Sequence, residues 1–76
     1  MEIQDFISKL GDVFEDTDLS TLKPETKFRE LDDWSSLAAL SLIALADEEY
    51  DVALKGDDIR NAQTIEDIFN TIKAKL

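Results

Sequence analysis

The chain contains no cysteine and no histidine. Without cysteine it can form no disulfide, no zinc–thiolate site and no thiol nucleophile. Without histidine it lacks the commonest general base and the commonest metal-binding side chain, so its residues can build neither a Ser-His-Asp nor a Cys-His catalytic site. The spacing of Asp51, Asp57 and Asp58 does not match a calcium-binding loop. We therefore expect a protein that is not an enzyme and has no metal site.

Basic residues are also few, 8 against 18 acids, and the net charge is −10. Phosphate binding needs clustered lysine and arginine, so nucleic acid is a poor partner, and an anionic membrane surface repels the chain for the same reason. Basic protein surfaces are the natural partners of such a chain. The alternative at this point is that the charge only keeps a small protein in solution.

Long apolar runs are missing as well. No stretch reaches the roughly 18 apolar residues of a membrane span, so we expect no membrane insertion. Residues 1–5 lack the basic region of a signal peptide, and together with the absence of cysteine this favours a cytoplasmic location. The 76 residues predict one domain, 1–76, with little space for a deep active site.

Helical periodicity is present at both ends of the chain. The first pattern predicts a helix over residues 2–15 with these apolar positions: Ile3, Phe6, Ile7, Leu10, Val13 and Phe14. Thr64 and Asp67 form a capping-box pattern before the last helix. The apolar face of that last helix is predicted at Ile65, Ile68, Phe69, Ile72 and Leu76. Residues 57–62 predict a single short helical turn, with Asp57 as its cap and Gly56 as the break before it.

Residues 16–34 show no helical period and predict a long loop between the first and second helices. Four apolar residues recur along the loop and are expected to pin it to the core: Leu19, Leu22, Phe28 and Leu31. No strand alternation is visible. The sequence therefore predicts an all-α fold.

The second helix is predicted to begin at Ser35 or Ser36 and to continue to Tyr50, with a serine as its N-cap. It carries two apolar stripes, although a surface helix usually needs one. The stripe predicted to face the core contains Ala39, Leu42, Ile43, Ala46 and Tyr50. The second stripe contains Leu37, Leu40 and Ala44, with Ser41 among them. This second stripe either contacts another part of the domain or is exposed for a partner.

Acids bracket the second helix, with no base between residues 30 and 54. They are Glu30, Asp32, Asp33, Asp47, Glu48, Glu49 and Asp51. An apolar centre with a charged rim is typical of a docking surface. We therefore predict that Leu37, Leu40, Ala44, Asp47 and Glu48 contact partner proteins. At the head of the helix, Ser36 is either a plain N-cap or a site modified by another enzyme, because no residue here can activate it.

Four short motifs occur in order along the chain. Ser36-Leu37 opens the second helix, and Asp47-Glu48-Glu49-Tyr50 closes it. Phe28-Arg29-Glu30-Leu31 precedes the serine, and Thr64-Ile65-Glu66-Asp67-Ile68 opens the last helix. In this order and spacing, over its full length, the chain resembles the acyl carrier protein family.

The resemblance implies a four-helix bundle with three longer helices, a short third helix and a long loop between helices 1 and 2. It implies that Ser36 receives 4′-phosphopantetheine from coenzyme A, added by a separate magnesium-dependent phosphopantetheinyl transferase. A monomeric, non-catalytic carrier of this kind holds acyl groups as thioesters on the arm and presents them to enzymes with basic docking surfaces. The pathways implied are fatty acid, polyketide or related lipid biosynthesis.

Two alternatives stay open from the sequence. One is a carrier of aminoacyl or peptidyl groups, of the D-alanyl type. The other is an acidic interaction module without a cofactor, in which Ser36 is only a cap. Likewise, the small residues Ala39, Ala46 and Ala62 predict either an internal cavity for cargo or close helix packing.

The chain departs from the family pattern at three positions. Ser35 stands where the family usually has an aspartate before the modified serine, and Ala38 and Ser41 stand where it often has acids. The first turns of the second helix are therefore neutral. We interpret this as the mark of a specialised carrier rather than the housekeeping carrier of fatty acid synthesis.

Overall fold

The computed structural model describes residues 2–76. Within that range the chain is mostly helical, with four α-helices and no strand, which confirms the all-α class. The helices are α1 (Ile3–Lys9), α2 (Ser36–Tyr50), α3 (Gly56–Asn61) and α4 (Ile65–Lys75). Three short 3₁₀ helices, Leu10–Asp12, Leu19–Thr21 and Phe28–Glu30, lie between α1 and α2. None of the helices described is both long and apolar enough to cross a membrane.

The first helix is shorter than its apolar pattern predicted. Regular α-helix ends at Lys9 and tightens into the 3₁₀ turn that contains Gly11, a poor helix former. Val13 and Phe14 are nevertheless buried, because their N–H groups both donate to the carbonyl of Leu10. With seven residues in α1 and six in α3, the described chain has two longer helices rather than the three predicted.

Large apolar side chains from all four helices and the long loop meet in one core. The largest fully buried ones are Phe6, Phe14, Phe28, Leu10, Ile68 and Ile72. The rings of Phe6 and Phe69 lie 5.8 Å apart, and Phe28 meets Trp34 edge to face at 4.8 Å. The Phe28–Trp34 contact joins the loop to the segment that leads into α2.

The long loop is fastened to the rest of the fold, as its apolar residues predicted. Leu22 and Phe28 are buried, and Leu19 and Leu31 pack against the core half-buried. Main-chain bonds then tie the loop to the first turn of α4. The Ile65 N–H donates to the carbonyl of Thr26 at 3.0 Å, and the Glu66 N–H donates to that of Pro24 at 2.9 Å.

The side chain of Asp33, at the end of the long loop, forms hydrogen bonds with residues at the beginning of the loop. The Asp33 carboxylate accepts from the main-chain N–H of Asp16 at 3.0 Å and from the Thr17 hydroxyl at 2.6 Å. The loop therefore closes on itself just before α2 begins. This closure fixes the direction in which the chain enters α2.

The short third helix begins earlier than predicted. Its N-cap is Lys55, not Asp57, and Gly56 is its first residue rather than a break before it. Asp58 lies three residues after the cap, and its carboxylate accepts the Lys55 N–H at 3.0 Å. That bond satisfies an amide at the start of α3 and explains the shift.

The last helix begins as predicted, at a capping box. The Thr64 hydroxyl accepts the Asp67 N–H at 3.2 Å, and the Asp67 carboxylate accepts the Thr64 N–H at 3.1 Å. Its buried face is Ile65, Ile68, Phe69 and Ile72. Leu76 does not belong to this face: the helix ends at Lys75, and the Leu76 side chain is 66% exposed.

Candidate functional site

The two serines at the start of α2 have different surroundings. Ser35 has extended backbone and is the N-cap, with its Oγ accepting the N–H of Ala38 at 3.2 Å. Ser36 is the first residue of the helix and is exposed. Its hydroxyl has no hydrogen-bond partner among residues 2–76. The capping role therefore falls to Ser35, which leaves the Ser36 oxygen accessible for modification.

The second apolar stripe of α2 faces solvent and does not pack within the domain. Leu37 is 72% exposed and Leu40 63%, and Ala44 is exposed one turn further on. Asp47 and Glu48, also exposed, continue the same face toward the end of the helix. Ser36 thus lies at the head of a solvent-facing strip that is apolar first and acidic last.

The core face of α2 is rotated from the one predicted. Its buried residues are Ala38, Leu42, Leu45 and Ala46. Ala39, Ile43 and Tyr50, predicted to face the core, are half-buried and pack against it. Ala39 and Ile43 also line a cleft toward α3. Ala38, at 4% exposure, is enclosed, so an acid there would lose its hydration.

Tyr50 shows how the end of α2 meets α1. Its ring lies 6.2 Å from the ring of Phe6, and the Lys9 ammonium lies 5.5 Å from the Tyr50 ring centroid. The Tyr50 hydroxyl is buried and has no hydrogen-bond partner within the described range. The aromatic residue that closes the acidic motif is therefore a packing residue between two helices.

A cleft of about 530 Å³ lies between α2 and α3, and Ser36 is on its wall. Its apolar surface comes from Trp34, Ala39, Leu40, Ile43 and Ile59. Two cations, Arg29 and Arg60, also line it, and among residues 2–76 no acid does. The charged side chains that line this cleft are thus opposite in sign to the net charge of −10 of the whole chain.

A groove of about 250 Å³ on the other flank of the α2 start is acidic. Four carboxylates contribute to it: Asp12, Glu15, Asp16 and Asp33. Leu37, Ala38 and Ser41 form its α2 side. The first turns of α2 are neutral in sequence, yet the preceding loop and the end of the α1 segment place acids beside them. An anion attached at Ser36 is therefore repelled from this groove and attracted to the cleft beside α3.

Arg29 joins the long loop to α3. Its Nη2 donates to the carbonyls of Ile59 and Arg60, both at 2.6 Å, and its guanidinium lies 5.2 Å from the Phe28 ring centroid. In the sequence, Arg29 stood out only as a position within a motif. The one available signal was an arginine in a chain poor in bases, and the carbonyls it binds are 30 and 31 residues away in sequence.

The interior between the helices is closely packed. The void among the core aromatic and aliphatic side chains has a volume of about 10 Å³, at the lower limit for one water molecule. Ala46 is fully buried, and Ala62 is 3% exposed. Of the two interpretations of the small residues, close packing applies to Ala46 and Ala62, whereas Ala39 widens the open cleft. Among residues 2–76 no three acidic side chains are grouped to hold a metal ion.

No protein-family model matches this chain, and no solved structure gives a significant match. Its assignment to a function therefore depends on the sequence motifs and on the geometry at the start of α2. Three observations bear on it directly: the free hydroxyl of Ser36, the exposed strip that follows it, and the cleft beside it.

Proposed function

We propose that this protein is a non-catalytic acyl carrier. Its Ser36 oxygen bears 4′-phosphopantetheine, and the arm carries acyl intermediates of fatty acid, polyketide or related lipid biosynthesis as thioesters. The proposal rests mainly on the different roles of Ser35 and Ser36. Because Ser35 caps α2, Ser36 presents a free, exposed hydroxyl at the head of the helix.

The surroundings of Ser36 fit a phosphopantetheine arm. A phosphodiester carries negative charge, and the adjoining cleft presents Arg29 and Arg60 without an acid. The apolar wall that includes Leu40 and Ile43 suits the less polar part of the arm. Once attached, the arm supplies the thiol that a chain without cysteine lacks.

The attachment itself requires another enzyme, because the chain has no histidine to activate the serine. In that reaction the Ser36 hydroxyl would give its proton to a base of the transferase, and its oxygen would bond to the phosphorus of the arm. The phosphoanhydride bond of coenzyme A breaks, and adenosine 3′,5′-bisphosphate leaves. The role of this chain is to present the hydroxyl and to dock the transferase.

The exposed strip of α2 supports a docking role. Leu37, Leu40 and Ala44 provide the apolar contact, and Asp47 and Glu48 provide charge for basic enzyme surfaces. The acids lie at the far end of the helix from Ser36. A partner that requires acids in the first turns would find none on α2, and this supports a specialised carrier.

The specialised role has its own test. General fatty acid enzymes are offered this carrier and a housekeeping carrier, both loaded with the arm, and the rates of acylation are compared. We expect the housekeeping carrier to be acylated faster. Equal efficiency would contradict the specialised role and leave the carrier function itself intact.

Intact-mass measurement tests the carrier function. The protein is incubated with coenzyme A and a promiscuous phosphopantetheinyl transferase, alongside Ser36→Ala. We expect the wild type to gain the mass of one arm and the variant to gain none. No gain in the wild type would favour the acidic interaction module, because the same exposed leucines and acids serve that function without a cofactor. The cargo bound in vivo then separates acyl from aminoacyl or peptidyl carriers.

A further inference from the structure

The start of α2 separates two regions of opposite charge. The groove on one flank carries four carboxylates, whereas the cleft on the other flank carries Arg29 and Arg60 and, within the described chain, no carboxylate. Ser36 lines the second of these. The charges of the lining residues therefore favour the cleft over the groove for an anionic group attached to Ser36.

The two arginines are not equivalent. Both are exposed, but Arg60 forms an ion pair with Asp57 on its own helix. Arg29 forms no ion pair with any carboxylate of residues 2–76. Its charge is therefore available to an anion that the chain itself does not provide.

The geometry of Arg29 is fixed before any anion arrives. Nη2 is held by the carbonyls of Ile59 and Arg60, and the guanidinium lies against Phe28, which is 1% exposed. Its Nη1 and Nε groups have no acceptor within residues 2–76. A guanidinium carries five N–H donors in a planar fork that matches phosphate oxygens. Arg29 thus combines a fixed position with unused donors beside the Ser36 cleft.

We propose, on the basis of the carrier function above, that Arg29 is a positioning residue that holds the phosphodiester of the arm on Ser36. The free N–H groups of its guanidinium bind the phosphate oxygens, and the same side chain remains bonded to the end of α3. The arm consequently lies in the cleft between α2 and α3 instead of extending freely into solvent. This function extends the role of Arg29 beyond joining the loop to α3.

Phosphorus NMR of the loaded protein tests this inference. The ³¹P transverse relaxation rate reports how tightly the phosphodiester is held, and it is measured for the wild type, Arg29→Gln and Lys27→Gln. Lys27 is the matched control, because it is an exposed base in the same loop and does not line the cleft. We expect Arg29→Gln to shift the equilibrium between held and free arm about tenfold toward the free form, the size typical of a charge-assisted hydrogen bond. The ³¹P relaxation rate then falls in Arg29→Gln and stays unchanged in Lys27→Gln.

A second measurement uses only the wild type, in case Arg29→Gln loosens α3. The Arg29 Nε–H resonance is recorded before and after loading, and we expect it to shift on loading. An unshifted Arg29 resonance, or equal ³¹P rates in all three proteins, would overturn the inference. An equal fall of the ³¹P relaxation rate in both variants would also overturn the inference, since the change in net charge alone would then explain the effect. Failure of the wild type to accept the arm would reject the carrier function and this inference together, whereas loading without these effects rejects the inference alone.

Discussion

Ser35 accepts the main-chain N–H of Ala38 at 3.2 Å, and its neighbour Ser36 contributes no such bond at the same helix start. Removing an N-cap hydroxyl costs about 1 kcal/mol, so Ser35→Ala should lower the free energy of unfolding by about that amount. Ser36→Ala, at an exposed position, should stay within about 0.5 kcal/mol of the wild type. Urea unfolding followed by helical circular dichroism measures both. A larger loss for Ser36→Ala would mean that the two roles are reversed.

The exposed leucines allow docking to be separated from folding. Leu37 and Leu76 have similar exposure, 72% and 66%, but only Leu37 lies beside Ser36. We expect Leu37→Ala to lower kcat/KM for arm transfer about tenfold, as truncation of an interface anchor does. Leu76→Ala should leave it unchanged, and both variants should keep the wild-type stability within about 0.5 kcal/mol. Equal transfer rates for the two variants would argue against docking through α2.

The end of α2 offers a stability prediction. Asp51 has left-handed backbone, with φ 55° and ψ 41°, and its N–H donates to the carbonyl of Asp47 while the Val52 N–H donates to that of Ala46. This is the bonding of a helix end that glycine favours. Asp51→Gly should therefore raise the free energy of unfolding by about 1 kcal/mol.

Asp51→Asn serves as the control for that substitution, because it removes the charge and keeps a side chain. A negative charge at a helix C-terminus is unfavourable by a few tenths of a kcal/mol, so Asn should stabilise the protein less than Gly does. Urea unfolding compares the two. Equal gains would show that the charge, and not the backbone conformation, limits stability at this position.

The capping box of α4 predicts a pH dependence. Hydrogen bonds from the N–H groups of Gln63 and Thr64 hold the pKa of Asp67 below its ordinary value of 3.8, although burial acts in the opposite direction. A carboxyl whose pKa is lower in the folded state stabilises the fold above its unfolded pKa, and this contribution is lost as the pH falls through the folded pKa. Asp67→Asn should therefore be less stable than the wild type at pH 7.

The difference in folding stability between the wild type and Asp67→Asn should narrow once the pH falls below 3.8. Thermal unfolding of both proteins over a pH series measures this difference. Comparing the two proteins at each pH cancels the general effect of protonating the other acids. A difference that stayed constant across the series would show that the Asp67 charge does not contribute.

Short sequence patterns correctly predicted helix starts that are set by hydrogen bonds between residues close in sequence. Thr64 and Asp67 lie three residues apart and bond to each other, so the start of α4 was readable from the spacing. The start of α2 followed in the same way from the serine pair. Gly56 misled the prediction, because a glycine can begin a helix as well as interrupt one, and the bond from Lys55 to Asp58 decided between these.

Tertiary contacts determined what the sequence could not predict. The rotation of α2 that buries Ala38 and Leu45 depends on how the loop and α1 pack against that helix. Both apolar stripes had helical spacing, so periodicity alone could not choose between neighbouring rotations. The Arg29 bonds to Ile59 and Arg60 join residues about 30 positions apart, and no local pattern predicts such a pair.

The identity of the modified serine is the sharpest test of the proposed carrier function. Wild-type protein is incubated with coenzyme A and a phosphopantetheinyl transferase, digested, and the modified peptide sequenced by tandem mass spectrometry, with Ser35→Ala treated in parallel. We expect one arm, attached to Ser36, in both proteins, because Ser35 only caps the helix. An arm on Ser35 would refute the assignment of the attachment site, and no arm on the wild type would refute the carrier function.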